Sequence, residues 1–249
     1  MLHLLRRIRK SLVDSNQFRK YTLYAIGEIA LVVIGILIAL QVNNWNQVQL
    51  EIQKEKAILE GLMDDVEGLN LRLETWANFN SIGERLTSKI LTYTQDNFDR
   101  KVMDSLFSVL IYVNVLDKGG GPLEALIYTG SLDLIRHKEI HESLARLPDK
   151  LEDIHTNDLT SRQFVYNQFI PYLATYGIPE FNCPPMQFFC SNDNPTSTTY
   201  RNIIEDGPFK ALLRHRYISY AAISMDHQAT AVEVQKLLEL IKEYLEQFE

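Results

Sequence analysis

Between residues 23 and 42 the chain reads LYAIGEIALVVIGILIALQV, with apolar side chains on every face of the helix it would form. A helix apolar all round belongs inside a membrane or at the centre of a large protein. About 20 such residues suffice for one bilayer crossing. No second run of this kind follows, so the pattern predicts one transmembrane helix over residues 21–45. A cleaved secretory signal would have a shorter apolar core and a small-x-small cleavage site. Here the core is longer and leads into Leu40-Gln41-Val42-Asn43-Asn44-Trp45, with no cysteine to take a lipid. The reading is an uncleaved anchor.

Beyond the span the pattern changes. Val48, Ile52, Leu59, Leu62, Val66, Leu69, Leu73 and Trp76 are separated mainly by steps of three and four, the spacing of one apolar helix face. No proline interrupts from the span to Trp76, so the membrane helix is expected to run on into this one. Residues 82–93 form a second amphipathic stretch, and residues 102–115 a third, more apolar one. Gly119, Gly120, Gly121 and Pro122 form a break, with Pro122 suited to opening a new helix. Gly130 ends one turn and Ser131 can cap the next. Residues 139–176 are helical in composition, with Pro148 and Pro171 as kinks or boundaries. Residues 182–199 are rich in Asn, Pro, Ser and Thr and read as a loop. Residues 209–248 lack Gly and Pro, and Val234, Leu237, Ile241, Tyr244 and Phe248 keep the three-four spacing. No useful β-alternation appears. The fold class is all-α, a single N-terminal transmembrane helix followed by a helical bundle.

Charge orients this arrangement. Arg6, Arg7, Arg9, Lys10, Arg19 and Lys20 precede the span, opposed only by Asp14, and no charge follows it before Glu51. Short basic flanks stay in the cytoplasm. The organisation is then a basic cytoplasmic segment (1–20), the span (21–45) and a periplasmic helical domain (46–249). Leu2, Leu5, Ile8 and Leu12 give the first segment an amphipathic spacing, suited equally to lying on an anionic leaflet and to an ordinary basic flank. Tyr21 and Tyr24 mark the inner interface and Trp45 the outer, where amphipathic rings prefer to sit. The whole chain carries −7 over 249 residues, and the first twenty carry six basic and one acidic group, which leaves −12 for the rest. An acidic outer domain lacks the basic footprint of a nucleic-acid binder.

Candidate chemistry is sparse. Cys183 and Cys190, in CPPMQFFC, lie in the part placed outside the cytoplasm, where disulfides persist. A bridge there would contribute about 2–3 kcal/mol; free thiols and a metal pair are the alternatives. His137 and His141 stand at i and i+4, but Lys138 occupies the place where the zinc-peptidase pattern needs Glu, so a solvated helix face is expected. Asp64, Asp65 and Glu67 read as another wet face. His215 and His227 lack ligand spacing. No phosphate loop, G-x-S-x-G or Cys–His arrangement is present. The expectation is therefore no catalytic residues, no metal and no cofactor.

Glu28 is the exception, inside the apolar run. An acidic group at the centre of a span costs about 2.5–3.5 kcal/mol, and an intramembrane ionisable residue is a functional hypothesis by default. At 100° per residue Tyr21, Glu28, Gly35 and Ala39 fall on one stripe. Small residues there let a second helix approach and share the carboxyl's hydrogen bonds. The alternative is a Glu snorkelling to the inner interface.

Tyr24, Gly27, Glu28, Gly35, Ile36, Leu37, Ile38, Ala39, Leu40, Gln41, Asn43, Asn44, Trp45 and Asn46 compose a long motif, Y-x-x-G-E…G-I-L-I-A-L-Q-x-N-N-W-N. In this motif the chain resembles the anchor of a family of single-pass inner-membrane proteins of Bacteroidota to which no activity is assigned. Gly130-Ser131-Leu132-Asp133-Leu134-Ile135 is similar to a second, shorter signature of that family. The resemblance implies a bacterial inner-membrane location with a periplasmic domain, and no activity. Together the readings lead to a membrane-anchored, non-enzymatic structural or accessory subunit. Its partners would be the bilayer and a second copy or another inner-membrane subunit. The alternative is a periplasmic ligand-sensing bundle that signals through a partner.

Overall fold

The computed structural model describes residues 17–117, 123, 125, 126, 130–176 and 197–248. Among these every element is helical and no strand occurs. The chain divides into two compact units, Met1–Lys54 and Glu55–Glu249. Helix α1 (Gln17–Leu91) supplies the described part of the first unit and continues into the second. As expected from the absence of proline, the apolar run and the following seam lie on one helix. The stretch at residues 82–91 belongs to that helix too, rather than forming a separate one. The basic segment 1–16 lies outside the described residues.

In the second unit, α1 is followed by α2 (Arg100–Leu110), a 3-10 turn (Ser131–Leu134), α3 (Lys138–Phe164), a π-turn (Val165–Phe169), α4 (Ile170–Ala174), α5 (Ser197–Glu205) and α6 (Gly207–Leu245). The starts follow from local chemistry. Asp99 accepts from Lys101 N and Val102 N to cap α2. Asp206 accepts from Phe209 N to cap α6, with Pro208 in the first turn. The π-turn lies just before Pro171, whose missing N–H and ring disturb the preceding turn; there Ile170 N–H reaches back to Val165 O. Gly130 takes a left-handed φ of 71° at the head of the 3-10 turn. Ser131 is not the cap expected of it. It is the first residue inside that turn, and the cap position belongs to Gly130.

Residues 55–91 of α1, with α3 and α6, make the frame. Asn70 reaches Gln235, and Ser224 donates to Ala77 O, so α1 and α6 are antiparallel. Lys150 meets Glu233 and Asn157 meets Asp226, so α3 and α6 are antiparallel too. Each helix turns one stripe inward at steps of three and four. On α3 the buried stripe is Ile140, Leu144, Leu147, Leu151, Ile154, Asp158 and Ser161, and it continues to Val165 of the π-turn. On α6 it is Leu213, Arg216, Tyr220, Ile223, His227, Thr230, Val234, Leu237 and Ile241. On α1, Leu59, Leu62, Val66, Leu69 and Leu73 are buried as the seam predicts, while Val48 is 43% exposed and Trp76 only partly buried. The seam therefore becomes core only from Leu59 onward. Gly83 is needed where α1 meets Tyr220, because a Cβ there would lie 2.6 Å from the ring.

The apolar interior falls into two clusters. One joins Leu59–Leu73 side chains to those of Ile140, Leu151, Val234 and Ile241. The other gathers α2, α5 and the far ends of α1, α3 and α6 around Phe107, Phe169, Tyr200 and Phe209. The buried polar residues Asp158, Ser161, Arg216, Ser224 and His227 belong to neither cluster.

Candidate functional site

Three features carry the polar chemistry of the described residues, and only the first was anticipated. It is the stripe of the apolar helix. Tyr21, Glu28, Gly35 and Ala39 all lie on α1, at intervals of seven, seven and four. Glu28, Gly35 and Ala39 are exposed, and a Cβ added at Gly35 would meet nothing within 4 Å. Nor do the large apolar side chains of the run find cover: Leu31 is 74% exposed, Ile34 56%, Leu37 59%. Trp45 is exposed as well, whereas the side chains of Tyr21 and Tyr24 lie outside the described set. This is one helix long and apolar enough to cross a membrane. Cys183 and Cys190 lie outside the described residues.

The second feature is a polar layer between α3 and α6, which holds an irregular strap, residues 111–117. A helix leaves its last carbonyls unpaired, and α2 has no basic residue in its last turn. Arg216 of α6 supplies the cation. Its Nε donates to Leu110 O at 3.2 Å, its Nη2 to Tyr112 O at 3.0 Å and its Nη1 to Ser161 Oγ at 2.6 Å. The guanidinium carbon stands 3.9 Å from the centre of the Tyr220 ring, over its negative face. Tyr220 Oη in turn donates to Val109 O at 2.9 Å. Burial, the largest cause, pulls the Arg216 guanidinium below its ordinary value and pushes the Tyr220 hydroxyl above its own. A positive group at a helix C-terminus is favourable, so Arg216 and Tyr220 together cap α2 from outside.

The strap's other end is held by α3. Leu116 N donates to Asp158 Oδ2 at 2.8 Å, and Leu116 O lies 3.0 Å from His155 Nδ1. Near its start it rests on α1, where Tyr112 stacks on Trp76 at 6.0 Å and meets the edge of Phe79 at 5.2 Å. His227 of α6 backs Asp158, Nε2 to Oδ2 at 3.6 Å. Burial raises the Asp158 carboxyl from its usual range, opposed by the Leu116 amide and by His227 and His155.

A third cluster closes the bundle at the other end of the frame. Glu55, fully buried, accepts from Arg136 N at 2.7 Å, Arg136 Nε at 2.9 Å and Tyr244 Oη at 3.2 Å. It ties α1, the exit of the 3-10 turn and the end of α6. Desolvation and the Glu55 carboxylate raise the Tyr244 hydroxyl.

Several sequence expectations are corrected here. His137 and His141 do not form a solvated pair: His137 precedes α3 in extended conformation, its Nδ1 accepting from Ile140 N and its ring 4.8 Å from Tyr244. The histidines of α6 overturn no expectation: His215 stacks on Phe164, and His227 is buried. Asp65 is not part of a wet face, since its carboxylate accepts from Leu123 N. Asp158, Ser161, Arg216, Tyr220 and Glu55 were missed. A signal existed. On α3 and α6 each of the first four occupies a three-four position that apolar residues otherwise fill, and a polar group there implies a buried partner.

Compared with known proteins, the chain matches no family model, no curated protein and no solved structure.

Proposed function

We propose that this chain is a membrane-anchored, non-enzymatic structural or accessory subunit of a bacterial inner membrane. Its N-terminus is cytoplasmic and its helical bundle periplasmic, and it assembles through its span with a second copy or another subunit. The observation that carries this reading is the uncovered apolar helix with its one carboxyl aligned on Gly35 and Ala39. Lipid accounts for the apolar faces, and a close helix neighbour accounts for Glu28. The bundle supports the same reading. Two of its grooves, about 350 and 510 Å³, are open and edged by Glu142, Arg146, Lys150 and Glu233 in one and by Glu74, Lys236 and Glu239 in the other. Enclosed, largely apolar pockets are what small-molecule sites usually have.

The test is cross-linking of the full chain in native membranes, with mass spectrometry of what is captured. A discrete complex is expected, lost in Gly35→Leu because the larger side chain pushes the helices apart, and retained in Glu28→Gln. Survival of the complex in both Gly35→Leu and Glu28→Leu would remove the span as its interface. A chain that stays monomeric throughout would remove the subunit reading.

A further inference from the structure

The contact between Asp158 and His227 requires a proton, and the reason lies on the far side of the imidazole ring. His227 Nδ1 is 2.8 Å from Ile223 O. A carbonyl oxygen only accepts, so Nδ1 carries hydrogen and, in a neutral ring, Nε2 carries a lone pair. That lone pair faces Asp158 Oδ2 at 3.6 Å. Asp158 and His227 are 2% and 1% exposed, so water cannot mediate freely between them. Lone pair against carboxylate is repulsive in such a place. One proton, on either partner, turns the contact into an attraction.

We infer that the Asp158–His227 pair is a pH-sensitive latch: with one shared proton it holds Leu116 and the strap 111–117 in place, and without it the strap lets go. Asp158 is the hinge of the argument, because the same Oδ2 accepts from Leu116 N. Removing the proton sets the His227 lone pair against that oxygen and leaves the carboxylate without the imidazole's hydrogen. The other charged groups bearing on Asp158 are His155, on α3 itself, and Asp226, on α6. Asp226 adds to the repulsion. His155 donates to Leu116 O through Nδ1 and so steadies the same residue of the strap from its carbonyl side. Arg216, one turn further along, holds Leu110 and Tyr112 and stays charged throughout. Release therefore starts at Leu116 and spreads toward Tyr112.

Tyr112 supplies the readout, because it stacks on Trp76, one of two tryptophans. In full-length Trp45→Phe protein in mild detergent, Trp76 emission reports the strap alone. Titration upward from about pH 5, where an imidazole is ordinarily protonated, should give a one-proton transition with unchanged far-ultraviolet helicity. Strap docking should then weaken by about tenfold per pH unit. His227→Gln gives the contact a permanent hydrogen, so it should abolish the transition and keep the alkaline strap docked. In Asp158→Asn one atom cannot both accept from Leu116 N and donate to His227, so that variant should also lose the transition, with the strap loosened at every pH. His155→Gln should leave it in place. A flat titration in the parent protein overturns the latch. So does a transition that persists in whichever of the two isosteric variants folds.

Discussion

Two stretches of one helix obey opposite rules. In residues 25–42 large apolar side chains surround the helix, and those described are between 46% and 74% exposed. Between Leu59 and Leu73 they occupy a single stripe, and the five seam residues are 0–1% exposed. Neither stretch differs much in helix propensity. What differs is how the apolar surface is distributed. A stripe can be buried by two neighbouring helices of the same chain, so it specifies a bundle. A full circumference exceeds what two neighbours can cover, and it is the pattern of a helix apolar enough to cross a membrane. The polar residues follow the same division. Glu28 has no partner among the described side chains of its own chain, whereas Asp158, Arg216 and Glu55 each meet named hydrogen-bonding groups.

The largest effect should come from the polar layer. Arg216→Leu keeps the three-four stripe apolar but leaves Leu110 O, Tyr112 O and Ser161 without their donor. Each buried polar group left unsatisfied costs about 1–3 kcal/mol, and three lose their donor here. Urea unfolding of the full chain in detergent, followed by Trp76 emission, should show that loss. A change within about 0.5 kcal/mol, the range of surface substitutions, would mean that the layer merely fills space.

The next effect separates the two stretches. Leu37→Arg places a charge at the middle of the apolar run and should oppose membrane insertion by about 2.5–3.5 kcal/mol. An alkaline carbonate wash should release much of the variant from membranes. Its urea midpoint should match that of the parent, because Leu37 belongs to the unit Met1–Lys54 and the bundle to Glu55–Glu249. Firm membrane retention together with a lowered midpoint would reverse the assignment of the two stretches.

The sequence made this contrast readable because both halves of it are local. The circumference of residues 23–42 and the stripe from Leu59 to Leu73 depend only on spacing along one helix. The layer was not readable for the opposite reason. Asp158 and Leu116 are 42 residues apart, and Arg216 and Leu110 are 106 apart. The spacing places Asp158, Ser161, Arg216 and His227 on inward stripes but does not say that a strap crosses there and needs donors. The same holds for Glu55, which reaches a backbone amide 81 residues away. His137 misleads for a subtler reason. The i, i+4 pair presumes that both residues are inside the helix, and the helix begins one residue later.

The smallest expected effect tests whether stability resides in the layer or in the charges outside it. Lys150 of α3 and Glu233 of α6 form an ion pair that joins the same two helices as Asp158 and His227. Their side chains are 38% and 57% exposed, however, so water already solvates both charges and salt screens their attraction. Such pairs contribute about 0–1 kcal/mol, because holding two long side chains in one geometry offsets most of the Coulomb gain. A double-mutant cycle with Lys150→Ala and Glu233→Ala should return a coupling below about 1 kcal/mol that fades in high salt. Both single variants should keep the parent's Trp76 emission at every pH, since neither touches the strap. A coupling rivalling the loss from Arg216→Leu would show that α3 and α6 are held from the surface. The buried polar residues would then be passengers of the fold rather than the groups that decide where its strap lies.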